Sequence, residues 1–264
     1  MTAVAIGSSV LAVGCGSSSS SSKGSTTPAT TSSSASTPAS NPAAAGGPPP
    51  TVFAAASLTK VFPTIDAGAN YTFGGSGALE TQIEQGAPAD VFAAASPKQP
   101  AALYAKGLVE RPVPFATNTL VLIVPKSNPG QIASVRDITR PGVKLVICNA
   151  TVPCGDYARK AFMNLGITGM AMKNVVSQTT DVTQTVAEVA VGQADAGFVY
   201  ITDARAAMGK VSVVTLPAQA KPLAMDYIAV VKSGRHQAAA RAFVAHVLSG
   251  PGRAKLHAAG FGKP

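Results

Sequence analysis

A chain of 264 residues that is 46% hydrophobic and only 12% charged has enough apolar material for a sizeable core, in one large or two small domains. Its formal charge is +9, and with Lys23 set aside the residues from Thr51 onward carry 20 basic against 12 acidic side chains, an excess of +8. That excess suits an anionic ligand or an anionic membrane surface; with no Trp, 5% aromatics and scattered Lys and Arg, it does not describe a nucleic-acid-binding face.

Residues 1–14 are almost wholly apolar or small and stop at Cys15. A bilayer span takes about 20 residues, so this shorter run reads as an export signal. Leu11-Ala-Val-Gly-Cys15 resembles the lipobox of bacterial lipoproteins, which implies lipid attachment at Cys15; the alternative is an incidental cysteine in an ordinary signal peptide. From 16 to 50 the one charged residue is Lys23, and such a Ser, Thr, Ala, Pro and Gly stretch cannot bury enough apolar surface to fold. Residues 15–50 are therefore expected to tether a domain to a membrane, with a coil reach of ~30 Å.

Residues 51–56 form an apolar strand, followed by Leu58, Val61, Phe62 and Ile65 at helical spacing, with Pro63 expected to kink or shorten that helix. The strand at 71–73 runs through Gly74-Gly-Ser-Gly77 directly into a helix whose buried face carries Leu79 and Ile83. This junction is a candidate anion site. The glycines allow positive φ and close backbone approach, Ser76 is placed at the N-cap, and the first N–H groups of the helix have no acceptor within it. One such junction is usually an ordinary cap. Here the same pattern of strand, small-residue turn and helix recurs at Val52 to Ser57, at Val152 to Tyr157 and around Thr180 to Val182.

Further along, 90–94 is a strand, Ser96 an N-cap before Pro97, and Gly107 a C-cap. The continuous apolar run at 120–124 marks a strand buried on both faces. Strands follow at 143–148, 196–201, 211–216 and 228–231, with helices at 156–165, 182–190, 237–248 and 251–259. Gly166 and Gly192 are expected to close two of these helices. Strands alternating with helices imply an α/β fold of mainly parallel sheets flanked by helices, and in such sheets ligands sit beyond the carboxyl ends of strands. Ser57, Ser76, Cys154 and Tyr200 all fall there. Candidate sites before residue 80 and after 150 make two lobes with a cleft between them the economical architecture. With Cys15 assigned to a lipid, an exported chain favours pairing Cys148 with Cys154, closing a small loop worth roughly 2 kcal/mol. The alternative is two separate thiols; the spacing excludes a C-x-x-C redox motif.

Five motifs in order, Phe53-Ala-Ala-Ala-Ser57-Leu, Phe73-Gly-Gly-Ser76-Gly-Ala-Leu, Gly86-Ala-Pro-Ala-Asp90-Val-Phe, Val152-Pro-Cys154-Gly and Gly197-Phe-Val-Tyr200-Ile-Thr-Asp203-Ala, resemble the molybdate-binding proteins of ABC importers. The resemblance implies a type II periplasmic-binding fold with lobe 1 at 51–124 plus 226–264 and lobe 2 at 125–225. It implies an oxyanion pocket using hydroxyls of Ser57, Ser76 and Tyr200 and backbone N–H groups of Cys154 and Val182, with molybdate or tungstate as ligand and no other cofactor. Cys154 stands where many members have alanine, and only its N–H is needed. Expected partners are a permease and a separate ATPase, since no Walker A motif is present. The protein itself is expected to be an extracytoplasmic, membrane-anchored monomer. Such a pocket suits a fully deprotonated dianion, because neutral donors satisfy it without a buried counter-charge.

Three other readings compete with this one. One keeps the fold and changes the ligand to sulfate, phosphate or a small organic anion; another is a surface adhesin. The third is a secreted serine hydrolase, for which Ser76, Asp203 and His246 can be drawn as a triple, although Gly74-Gly-Ser-Gly-Ala only half resembles a nucleophile elbow. His236, His246 and His257 fall in C-terminal helical segments expected to be solvated or to pack on the core, so no catalytic or metal role is assigned to them.

Overall fold

The computed structural model describes residues 47–264, so the expected export signal, Cys15 and most of the expected tether lie outside the described residues. At the tether's end Pro50 already belongs to the fold: it is buried, and its carbonyl accepts the Asn70 N–H at 2.9 Å.

Three strands open the fold, β1 (Thr51–Ala55), β2 (Asn70–Gly74) and β3 (Val91–Ala94), parallel and in the order β2-β1-β3. The two-residue period of the strands decides what each face meets. Val52, Ala54, Val91 and Ala93 enter the main core, whereas Phe53, Phe92 and Ala94 pack in a smaller one with Leu79, Ile83 and Leu103. Those last three come from α2 (Ser76–Glu84) and α3 (Lys98–Ala105). Pro63 shortens the helix expected after β1 to a 3₁₀ turn (Ala56–Leu58) and the single turn α1 (Phe62–Ile65), where it sits at the start and its missing N–H costs nothing. Ser96 is not the N-cap of α3, which is Pro97; its hydroxyl instead accepts the Lys98 N–H at 3.3 Å and donates to Gln99 Oε1 at 2.6 Å.

The apolar run expected as one strand is the end of a longer one, β4 (Val113–Pro125). Up to Thr119 it pairs antiparallel with β9 (Leu223–Val230); from Leu120 it pairs with β7 (Ala196–Tyr200) and β8 (Val211–Val214). With a strand on each edge, Leu120 to Pro125 are buried throughout. β5 (Leu145–Cys148) lies parallel between β7 and β6 (Val175–Thr179). Helices α4 (Pro153–Asn164), α5 (Thr168–Lys173), α6 (Val182–Ala190) and α7 (Ile201–Ala206) complete this half. α5 and α7, six residues each, are too short to show an apolar repeat and were not expected from it. The α/β class holds, with a mixed sheet in the order β2-β1-β3-β9-β4-β7-β5-β6 and β8 on β4. It is parallel at its flanks and antiparallel in the middle, where β4 carries the chain out and β9 brings it back.

After β9, α8 (Gln237–Leu248) and α9 (Gly250–Ala259) return to the first strands. Phe243 of α8 meets Phe62 edge to face at 5.6 Å, and Phe62 meets Phe115 of β4 at 5.9 Å. No helix among the described residues is long and apolar enough to cross a membrane.

His236 has a structural place. Its backbone N–H donates to Asp90 Oδ1 at 2.8 Å, its Nδ1 lies 2.9 Å from Oδ2, and Oδ2 also accepts the Thr51 N–H at 2.8 Å. Burial would raise the Asp90 pKa, but these donors outweigh it and hold the carboxyl below its ordinary value. A depressed carboxylate stabilises above its unfolded pKa, and that stability is lost as pH falls through the folded one. Asp90→Asn is therefore expected to cost about 2 kcal/mol at pH 7 and progressively less under acid, read by urea unfolding at several pH values.

Candidate functional site

Five turns that leave the carboxyl ends of strands converge between the two halves of the sheet. β1 runs into the 3₁₀ turn with Ser57, β2 into α2 with Ser76, β6 into α6 with Val182, and β7 ends on Tyr200. α4 follows β5 and presents Cys154 as its second residue. All five residues line a single small pocket, with Ala55, Ala56, Gly74, Gly75, Ala95, Val152, Pro153 and Asp181. Its cavity volume is only about 10 Å³, so it is a tight site for something compact and not for an organic molecule.

Among the described residues no Lys, Arg or His lines the pocket. Instead α2, α4 and α6 all begin at its wall, which sets the positive ends of three helix dipoles there. Asp181, the one charged lining residue, is turned to its own helix, where Oδ1 accepts the Gln184 N–H at 3.0 Å.

Two hydroxyls lack partners. Ser57 Oγ and Tyr200 Oη are buried and make no hydrogen bond among the described residues. Burial, with Asp226 and Tyr157 nearby, pushes the Tyr200 phenol well above its ordinary pKa, so it stays a proton donor. Buried orphan donors are costly, and two at one small pocket mark a place for acceptor oxygens. Ser76 departs from the expected geometry. Gly75 is the N-cap and Ser76 the first helical residue, and its Oγ accepts the Ala95 N–H at 3.2 Å, which leaves its own O–H to donate.

The glycines also act differently from expectation. Neither Gly74, Gly75 nor Gly77 has positive φ. Gly75 and Gly77 are small because the opposite wall is close: a methyl on Gly75 would meet the Thr180 carbonyl oxygen, and one on Gly77 would lie 2.6 Å from the Thr151 oxygen, whereas Gly74 has room for one. Cys148 and Cys154 are joined by a disulfide with Cα atoms 5.9 Å apart, tying the end of β5 to the first turn of α4.

The hydrolase triple does not assemble. Ser76 lines the pocket, the Asp203 carboxylate accepts the Tyr200 backbone N–H at 3.0 Å, and His246 is exposed on α8. Among the described residues no three His, Cys, Asp or Glu side chains converge as metal ligands. Sequence reasoning missed Asp181 as a lining residue, although an Asp before an apolar helix is a capping signal. It also missed Tyr157, whose ring meets that of Tyr200 edge to face at 6.4 Å, and Asp226, a lone acid in an apolar strand.

A model of the bacterial extracellular solute-binding protein family matches residues 43–262. The molybdate-binding protein ModA of Mycobacterium tuberculosis is 41% identical over 223 residues, 81% of this chain and 84% of that protein. The periplasmic molybdate-binding protein of Azotobacter vinelandii superposes with a TM-score of 0.72 at 25% identity, covering 81% of this chain and 99% of that one. The sulfate-binding protein SubI of M. tuberculosis shares the fold, with a TM-score of 0.69 at 21% identity over 81% of this chain and 86% of its own.

Proposed function

Since this chain belongs to the bacterial extracellular solute-binding proteins, and among them to the molybdate-binding proteins of ABC transporters, we propose that it captures molybdate, and tungstate with it, and delivers the ion to an ABC importer. The observation that carries this reading is the pair of buried, unpartnered hydroxyls, Ser57 Oγ and Tyr200 Oη, facing one cation-free pocket. Ser76, with the N–H groups of Cys154 and Val182, completes a set of three hydroxyls and two amides. A set of that kind satisfies an oxyanion with no proton of its own, and its one carboxylate, Asp181, is engaged by the Gln184 N–H and not offered to a protonated OH, which disfavours phosphate at neutral pH. A cage of fixed size separates the near-isosteric molybdate and tungstate from the smaller sulfate.

In this reading residues 51–124 with 226–264 form one lobe and 125–225 the other, and the lobes close on the ion by hinge motion. Cys15 carries the lipid that keeps the protein at the outer face of the membrane, within reach of its permease. Calorimetric titration with molybdate, tungstate, sulfate and phosphate tests the assignment. Molybdate at 100 times its dissociation constant should also stabilise the fold by about 2.7 kcal/mol. Equal or stronger heats with sulfate or phosphate would overturn the choice of ligand.

The disulfide supports one residue of this set. By anchoring the first turn of α4 it limits how far the Cys154 N–H can drift. Reduction is expected to weaken molybdate binding several-fold, about 1 kcal/mol, while the helices persist. Titration with and without reductant, alongside circular dichroism, reads both.

A further inference from the structure

Near enough to Tyr200 to act on its phenol, but not among the residues that line the pocket, sits a carboxyl group that the proposed binding does not use. Asp226 lies in β9 opposite Ala116 of β4, beside the register shift between Pro114 and Ala116, in the pair of strands that joins the halves. Its side chain is fully buried and neither carboxyl oxygen has a hydrogen-bond partner. Among the described residues the ionisable groups around it are Asp203 of α7, Tyr200 of β7 and Tyr157 of α4, with Asp156 of α4 bearing on both tyrosines and the adjacent Tyr227 on Tyr157. Every one is acidic or phenolic.

An ionised carboxylate in such a place has neither counter-charge nor donor, and the group avoids that cost by keeping its proton. Burial, and then the charge of Asp203, push Asp226 well above the usual carboxylate range. Asp203 is itself raised to about 7 by burial, against the lowering effect of the Tyr200 N–H, with Asp181 adding to the rise. Burial lifts Tyr157 to about 12, Asp226 contributing. The Asp226 carboxyl and the Tyr200 hydroxyl make no direct hydrogen bond, so a neutral Asp226 can serve the Tyr200 oxygen through a bridging water, leaving the phenol O–H for the pocket. An ionised one would set a buried negative charge behind the phenol just as a dianion arrives in front of it.

We infer that anion capture is coupled to a proton held by Asp226, which acts through Tyr200 as a positioning residue. The inference rests on the oxyanion reading of the pocket. By reciprocity, the bound anion must then tighten the hold on that proton. Lost protonation weakens binding, so affinity falls as pH rises through the titration of Asp226, although molybdate itself keeps one charge state there.

The test is molybdate titration of the intact protein from pH 6 to pH 10 in buffers of different ionisation enthalpy. Wild type is expected to lose at least about tenfold in affinity over this range and to take up protons on binding at its alkaline end. Asp226→Asn is expected to remove both the slope and the uptake. A second readout needs no ligand: a raised carboxyl pKa destabilises the fold above the unfolded value, so Asp226→Asn should melt higher than wild type at pH 8 and not at pH 4. Binding that is flat with pH and proton-neutral in wild type would overturn the coupling and leave the ligand assignment standing. No molybdate binding at any pH would remove both. A slope unchanged in Asp226→Asn, or in Asp226→Ser should the first variant fail to fold, would assign the proton to Asp203 and overturn the role of Asp226.

Discussion

Replacing Gly75 by Ala is expected to lower molybdate affinity about a hundredfold or more while the unliganded protein melts no lower than wild type. Gly75 has φ −65° and ψ 132°, a conformation open to any residue, so alanine brings no backbone strain and restricts the unfolded chain. The penalty arises only where the two halves meet, because the added methyl runs into the Thr180 carbonyl oxygen, backbone that cannot rotate away. Overpacking of this kind costs about 1–3 kcal/mol or more, and on the proposed hinge closure the whole of it falls on the closed arrangement. Gly77→Ala should behave alike, since its methyl would stand 2.6 Å from the Thr151 oxygen and alanine favours the helix by about 1 kcal/mol. Titration calorimetry with thermal melts separates this outcome from simple misfolding, which would lower both quantities. Small-angle scattering with saturating molybdate should show the variants failing to compact.

Tyr200→Phe should move stability and affinity in opposite directions for another reason. The phenol oxygen is buried without a partner, so deleting it relieves an unsatisfied group and the unliganded fold should gain or stay level. The liganded state loses a hydrogen bond to a charged acceptor, about 1.5–3 kcal/mol, or roughly 10- to 150-fold in dissociation constant. The T-shaped contact with Tyr157 needs only the ring and survives. Wild-type affinity in this variant would remove Tyr200 from the donor set, whatever the fold.

The strands that carry the pocket residues were legible because their apolar runs end in small residues that open helices, a pattern repeated at Ser57, Ser76, Cys154 and Val182. The role of Gly75 and Gly77 was not, because a short-range pattern distinguishes a glycine needed for positive φ from one needed for space only through what faces it, and Thr180 and Thr151 lie far off in the chain. For the same reason Ser76 read as a cap: its true partner, the Ala95 N–H, comes from the next strand turn. β4 was seen only where it is buried on both edges; residues 113–119 alternate in burial and hold Pro114 and Asn118, which hid them. Asp226 gave no signal, since one acid between Met225 and Tyr227 looks like a solvated strand position until burial is known.

A cavity walled by amides and hydroxyls, with every described lysine and arginine kept outside it, has a consequence for how the protein meets dissolved electrolyte. Charges on the outer surface are masked by added salt over distances of about 10 Å at 0.1 M, whereas enclosed dipoles are hardly masked at all. Added sodium chloride should therefore slow the arrival of the anion, which the +8 folded region draws in, yet leave its residence time nearly constant. The bound lifetime of the captured ion would then be set by the protein alone and hold from dilute to briny surroundings.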